Sequence, residues 1–242
     1  MRLAVIALAV SSTLVIPAVQ AEEQQTGFEK IEIIGSRIAL RTATDSVAPV
    51  DIITAEQLES TGMTETAKAL QFAAPSYSFP FSSVTDGSDA VRPASLRGLS
   101  PDHTLVLVNG KRRHGSALVH LSGTMGKGSS NVDLNAIPMT AIKRIEILRD
   151  GASAQYGSDA IAGVINVVLK DSDQGGSVSA QAGQTYQGDG EQWRVGVNHG
   201  ISLSNDGFVN VTLEAHHKDS TNRAGLDPRQ QYPKLADGSA DP

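Results

Sequence analysis

The chain has 242 residues and no cysteine, with 20 Lys and Arg against 26 Asp and Glu, for a formal charge of −6. Absent cysteine excludes a disulfide scaffold, and a mildly acidic balance argues against nucleic-acid binding. No segment reaches the ~20 consecutive apolar residues of a spanning helix, which leaves a β-barrel open, since alternating strands give only a weak hydropathy signal.

Met1-Arg2, an apolar run from Leu3 to Pro17 and Ala18-Val19-Gln20-Ala21 read as a secretory signal peptide over residues 1–21, cut after Ala21. The mature chain is expected to be exported. Residues 22–29 are polar. Lys30-Ile31-Glu32-Ile33-Ile34-Gly35-Ser36-Arg37-Ile38 then forms a β-prone island, with Ile31 and Ile33 on one side and Glu32 and Ile34 on the other. An isolated island of this kind reads as a segment made to be bound, the alternative being the first strand of the domain that follows.

Ala48 to Ile53 ends as a strand near Thr54, and Thr54-Ala55-Glu56-Gln57 is a capping box that opens a helix through Leu58 to about Thr61. Gly62 can close that helix in the left-handed conformation. A second helix is expected from Thr64, with Ala67, Leu70, Gln71 and Ala74 at helical spacing until Pro75 stops it. Residues 76–92 read as a long loop. His103 to Val108 is strongly β-prone, and Asn109-Gly110 predicts a tight hairpin with Lys111-Arg112-Arg113 as the return strand. Gly115 to Asn131 is a second long loop.

The stretch Ala141 to Lys170, AIKRIEILRDGASAQYGSDAIAGVINVVLK, reads as two strands, Ile145 to Leu148 and Val164 to Leu169, joined through a glycine-punctuated link. After Lys170 the pattern changes to period two, over residues 177–183, 193–198 and 208–213, with turns at Gly188-Asp189-Gly190 and Asn205-Asp206-Gly207. Alternating strands with turns between them fit a transmembrane barrel, although a soluble antiparallel sandwich would look alike over so few.

RIEILRDGASAQYGSDAIAGVINVVLK resembles the closing motif of the plug domain of TonB-dependent outer-membrane receptors, with Asp150-Gly151 where many members have Gly-Pro. IITAEQLE and LRG…TLVLVNGKR are similar to the opening and middle of the same domain, and EKIEIIGSRI resembles the segment at or beside the TonB box. The resemblance implies an α+β plug, a small mixed sheet with short helices, followed by the first antiparallel strands of a truncated transmembrane β-barrel. It divides the chain into a signal peptide (1–21), a periplasmic tail with the box at about 30–37 (22–44), a plug (45–171) and barrel strands (172–242). A plugged barrel has about 22 strands, so the residues after Lys170 hold only the first few and the chain is expected to be a fragment.

The resemblance also implies roles. Lys30, Ile31, Glu32, Ile33, Ile34 and Gly35 would bind TonB by adding a strand to its sheet. Arg97 and Arg149 stand at the family's two arginine positions and would lock the plug to wall carboxylates, with Glu146 in the same network; the plainer reading is that each arginine caps a local turn. Arg112, Arg113, His114 and His120, with the loop from Tyr77 to Asp89, would face the ligand.

Other motifs fall away. Gly126-Lys127-Gly128-Ser129 lacks the spacing of a phosphate loop, and His216-His217 lacks that of a metal motif. No local catalytic arrangement appears, so no enzyme, cofactor or metal is expected. The expected partners are TonB with its inner-membrane energising complex, outer-membrane lipid and an extracellular small molecule, and no nucleic acid. The function expected is active uptake of a scarce solute of siderophore, vitamin or carbohydrate class. Its rivals are a soluble periplasmic plug module and the product of a truncated gene.

Overall fold

A computed structural model describes residues 50–80, 87–121, 126–203, 207–223 and 225. The signal peptide and the Lys30–Gly35 segment lie outside the described residues. Val50–Thr54 (β1) leads into the helix Ala55–Ser60 (α1) through the expected capping box. The Gln57 amide donates to Thr54 Oγ1 and Gln57 Oε1 accepts from the Thr54 amide at 2.9 Å. Gly62, at φ +72°, ends that turn. The next helix, Thr66–Ala73 (α2), starts two residues later than its sequence suggested. Glu65 makes no cap; its carboxylate is engaged by Arg92 and Lys218, and the Ala67 amide is satisfied instead by Asn135 Oδ1 at 2.9 Å.

Tyr77–Ser78 (β2) and Ser95–Leu96 (β3) pair across the base of the first long loop. Thr104–Val108 (β4) and Lys111–Arg112 (β5) form the predicted hairpin, with Asn109 and Gly110 both at positive φ as a primed two-residue turn requires. Ile142–Leu148 (β6), a short helix Ser153–Tyr156 (α3) and Gly163–Leu169 (β7) complete the plug. Its five strands run in the order β1-β6-β7-β4-β5, all neighbours antiparallel except β7 and β4. Ile53, Ile145, Ile147, Ile165, Val167 and Val106 share one face with Leu58 and Leu70 of the helices. Leu105, Leu107, Leu148 and Val164 face the other way, under Ala152, Tyr156 and Ala160.

Gly176–Gly183 (β8), Gln192–Ser202 (β9) and Phe208–Lys218 (β10) make a separate antiparallel sheet in the order β10-β9-β8. Its alternation is inverted relative to a soluble sheet. On β9, Arg194, Gly196, Asn198 and Gly200 are buried, while Trp193, Val195, Val197 and Ile201 are exposed. On β10 the apolar Val209, Val211 and Leu213 are exposed, between the half-buried Asn210, Thr212 and Glu214. Apolar residues outward and polar ones inward is the pattern of a membrane barrel wall, whose outer face meets hydrocarbon. A sandwich would bury the valines. Trp193 stacks on His217, directly across the β9–β10 pair, as an amphipathic ring pair at the end of the apolar band.

Candidate functional site

Among the described residues, two contacts of the plug with the polar face of the wall carry charge. The first is a short 3-10 turn, Met139–Ala141, just before β6. Ser179, Gly196 and Glu214 stand opposite one another on β8, β9 and β10, and Thr140 enters the gap left by the missing Gly196 side chain. A Cβ at Gly196 would overlap Thr140 Oγ1. Glu214 Oε2 accepts from the Thr140 amide at 3.0 Å and from its hydroxyl at 2.7 Å, while the buried Arg194 guanidinium lies 3.6 Å from the same oxygen. The charge of Glu214 is thereby matched at the point where the plug excludes water.

The second contact is looser. Lys218 Nζ, at the end of β10, donates to Glu65 Oε1 at 3.0 Å, and Thr64 Oγ1 reaches Gln192 Oε1 at 3.3 Å. Glu65 also pairs with Arg92, whose guanidinium lies 3.8 Å over the Phe79 ring. Burial by itself would raise the Glu65 carboxyl, but the Lys218 hydrogen bond and the charges of Arg92, Lys218 and Lys68 outweigh it and hold it below the usual carboxylate value.

The residues singled out from the sequence fall in different places. Arg97 is exposed, at φ +57°, and donates to the Arg149 carbonyl at 2.9 Å. Arg149 is also exposed and pairs with Asp51 of β1 at 2.9 Å. Among the described residues the carboxylate that Arg149 meets thus belongs to the plug itself. Glu146 does not join these two arginines. It is fully buried inside the sheet, accepting from Arg144 Nε at 2.8 Å and Asn166 Nδ2 at 3.0 Å.

Arg112 is exposed, pairs with Asp159 and donates to the Tyr156 carbonyl at 2.7 Å, so it fastens the link between β6 and β7. Arg113 and His114 line an open cleft of about 530 Å³ beside His103 and Asp102.

His120 is a correction. Expected to face ligand, it is fully buried, with Nδ1 2.8 Å from Ser88 Oγ and Nε2 2.8 Å from Asn131 Oδ1. Asn131 Nδ2 donates to the carbonyls of Arg92 and Val132, which leaves its oxygen as an acceptor for Nε2–H. The imidazole ties three segments of plug loop together. The loop from Tyr77 to Asp89 is corrected in part as well: Tyr77 and Phe79 are buried and stacked, and burial pushes the Tyr77 hydroxyl's pKa up. Residues 81–86 lie outside the described residues.

The sequence reading missed Thr140, Arg194, Gly196 and Glu214. Their period-two placement could have put Arg194, Gly196 and Glu214 on one face, but nothing local pairs them with Thr140.

The sequence profile described as the TonB-dependent Receptor Plug Domain matches residues 42–164, about half of the chain. The chain belongs to the TonB-dependent receptor plug family. Vitamin B12 transporter BtuB of Vibrio cholerae serotype O1 is 32% identical over 219 residues, covering 88% of this chain and 32% of that protein. Ferric enterobactin receptor PirA of Pseudomonas aeruginosa is 32% identical over 152 residues, covering 62% of this chain and 20% of that protein. The crystal structure of a mutant ferric enterobactin receptor, PfeA, from Pseudomonas aeruginosa superposes with a TM-score of 0.56 at 26% identity, covering 75% of this chain and 26% of that one. This plug-family chain thus spans about a third or less of the length of the curated relatives it matches. Those relatives are named as transporters and receptors.

Proposed function

We propose that this chain supplies the plug and first wall strands of an outer-membrane receptor that takes up a scarce solute under the power of TonB. The inverted alternation of β8, β9 and β10, with the plug on the polar side and Val195, Val197, Val211 and Leu213 outward, carries the reading. In water those side chains would form a large apolar patch beside two sheet edges that are unpaired among the described residues, which speaks against a soluble module. The relatives' names favour a siderophore or vitamin as solute; a carbohydrate is the remaining class. No catalytic step is assigned to the chain.

In this reading residues 1–21 direct export, residues 45–171 are the plug, and Lys30 to Gly35 are the strand that TonB captures through its inner-membrane complex. The exposed Arg97 and Arg149 are open to carboxylates of further wall strands, and Arg113 and His114 are the plug's contact with solute. Strand addition rests on backbone hydrogen bonds, and proline cannot supply one. The test is capture of the mature chain, Glu22 to Pro242, by the periplasmic domain of TonB, with Ile33→Pro alongside. Binding that Ile33→Pro abolishes is expected. Equal capture of both, or of neither, would remove the box from residues 30–35.

A further inference from the structure

Arg112 and Arg113 are neighbours in sequence and opposites in what they hold. Arg112 is engaged: it pairs with Asp159 and donates to the Tyr156 carbonyl at 2.7 Å. Arg113 is half-buried, and among the described residues its guanidinium meets no carboxylate and no other acceptor. Enclosing a guanidinium costs hydration that a partner normally returns. Arg113 lines the cleft of about 530 Å³ between β4, the chain after β5 and the link at residues 158–161. The same lining includes His103 and Thr104, whose Nδ1 and Oγ1 atoms are buried without a hydrogen-bond partner among the described residues. Native folds leave few such groups unmet, and here three belong to one concavity.

Charge indicates what the cleft would take. Of its two carboxylates, Asp159 is already held by Arg112, and Asp102 is exposed and bonded to no cation. A further cation stands near the rim. Pro101 belongs to the lining, and the turn at Gly126 packs on it so closely that an added Cβ would lie 2.6 Å from the proline ring. Gly126 and Gly128 are both at positive φ, and the Gly128 amide donates to the His120 carbonyl at 2.7 Å. That turn carries Lys127, exposed and unpaired among the described residues. We infer that the cleft receives an acidic group of the solute, a carboxylate or a phosphate, on the Arg113 guanidinium, with Lys127 as the outer cation. A guanidinium holds either group through two parallel hydrogen bonds. Arg97 and Arg149 lie exposed on the plug surface, whereas Arg113 lines a concavity, the shape of a small-molecule site. The inference rests on the reading of Arg113 and His114 as the plug's contact with solute, and it names the chemistry of that contact. Its test uses no TonB, so its failure and the failure of TonB capture are separate results.

The test is calorimetric titration of the mature chain, Glu22 to Pro242, in detergent micelles with succinate, inorganic phosphate or chloride. Ionic strength is held at ~0.15 M so that screening is the same throughout. We expect saturable binding of succinate or phosphate with a Kd on the order of 1 mM, and none of chloride. The tighter of the two acids identifies the group. Arg113→Gln should weaken that binding about tenfold, through loss of a charge-assisted bidentate contact. Lys111→Gln removes the same charge from an exposed side chain outside the cleft and should change binding less than about twofold. Equal weakening by the two variants, or no saturable binding of either acid, would overturn the inference. Arg113→Gln strands no partner, so its unfolding midpoint should match that of the parent chain. Should it unfold, the comparison of both acids with chloride on the unaltered chain still decides.

Discussion

Asn166 and Glu146 face each other across the β6–β7 pair, with Asn166 Nδ2 donating to Glu146 Oε2 at 3.0 Å. The same amide group accepts the Gly110 amide through Oδ1 at 2.9 Å. One buried side chain thus joins the β6 carboxylate to the turn of the β4–β5 hairpin. Asn166→Ala would take the donor from the enclosed Glu146 Oε2, at about 1–3 kcal/mol, and the acceptor from the Gly110 amide at the exposed turn, while Arg144 keeps its bond to Glu146 Oε1. The expected loss is about 2 kcal/mol of plug stability, read as a lowered unfolding midpoint in denaturant. Glu146→Gln keeps an acceptor for Asn166 and should cost less than half as much. A larger loss from Glu146→Gln than from Asn166→Ala would place the weight on the Arg144 ion pair instead.

Gly163 starts β7 at φ +140°, where an added Cβ would collide with the Leu148 carbonyl oxygen and lie 2.7 Å from Leu96 Cδ2. The first is backbone of β6 and the second a fully buried core side chain, so neither can move cheaply. Backbone strain of about 1–3 kcal/mol adds to overpacking of similar size. Gly163→Ala is therefore expected to lower stability by about 3 kcal/mol or more. Gly98→Ala also meets a positive φ but has open space around it, and should cost less than Gly163→Ala in the same melt.

Most of the strands were legible in the chain because they carried local signatures, whereas the short β2 falls in a stretch that reads as loop and β3 carries no signature of its own. Asn109-Gly110 announced the hairpin, Thr54 to Gln57 the first helix, and period two the wall. What the sequence could not show was pairing at a distance. His120 sits in a Gly- and Ser-rich stretch that reads as exposed, yet its partners Ser88 and Asn131, 32 and 11 residues away, bury it completely. Glu146 looked like a companion to Arg149 three residues on, but strand alternation puts it inside the sheet with Asn166. Thr140 and Glu214 are 74 residues apart, and only the docking of plug on wall brings them together.

Val197 lies at the centre of β9 on the outward face and is 41% exposed. Hydrocarbon rather than water is the solvent for that face in the membrane reading. Val197→Arg should then cost about 2–4 kcal/mol in lipid, as arginine does near a bilayer midplane, whereas Val197→Leu should be close to neutral. The measurement is the urea midpoint for folding into phospholipid vesicles. If arginine were tolerated as well as leucine, Val197 would be facing water and the wall assignment of β9 would fall.

Glu65 makes the plug–wall contact through Lys218 sensitive to acid. Its carboxyl sits below the usual value of 4.5 in the folded chain, because the Lys218 hydrogen bond and the surrounding cations overcome the cost of burial. A carboxyl lowered on folding contributes stability that is fully present above its unfolded value and is lost as pH falls through the folded one. The contribution should therefore be constant from about pH 7 to about pH 5.5 and decline progressively below 4.5, as pH falls through the lowered folded value. Glu65→Gln removes the charge and keeps the shape. Its deficit relative to the parent chain, on the order of 1 kcal/mol after allowing for solvent screening at Lys218, should be visible in thermal melts near neutrality and vanish as the acid limb is entered. A deficit that grew toward low pH would mean that Glu65 is protonated more readily in the folded chain, the opposite of what its three cationic neighbours impose.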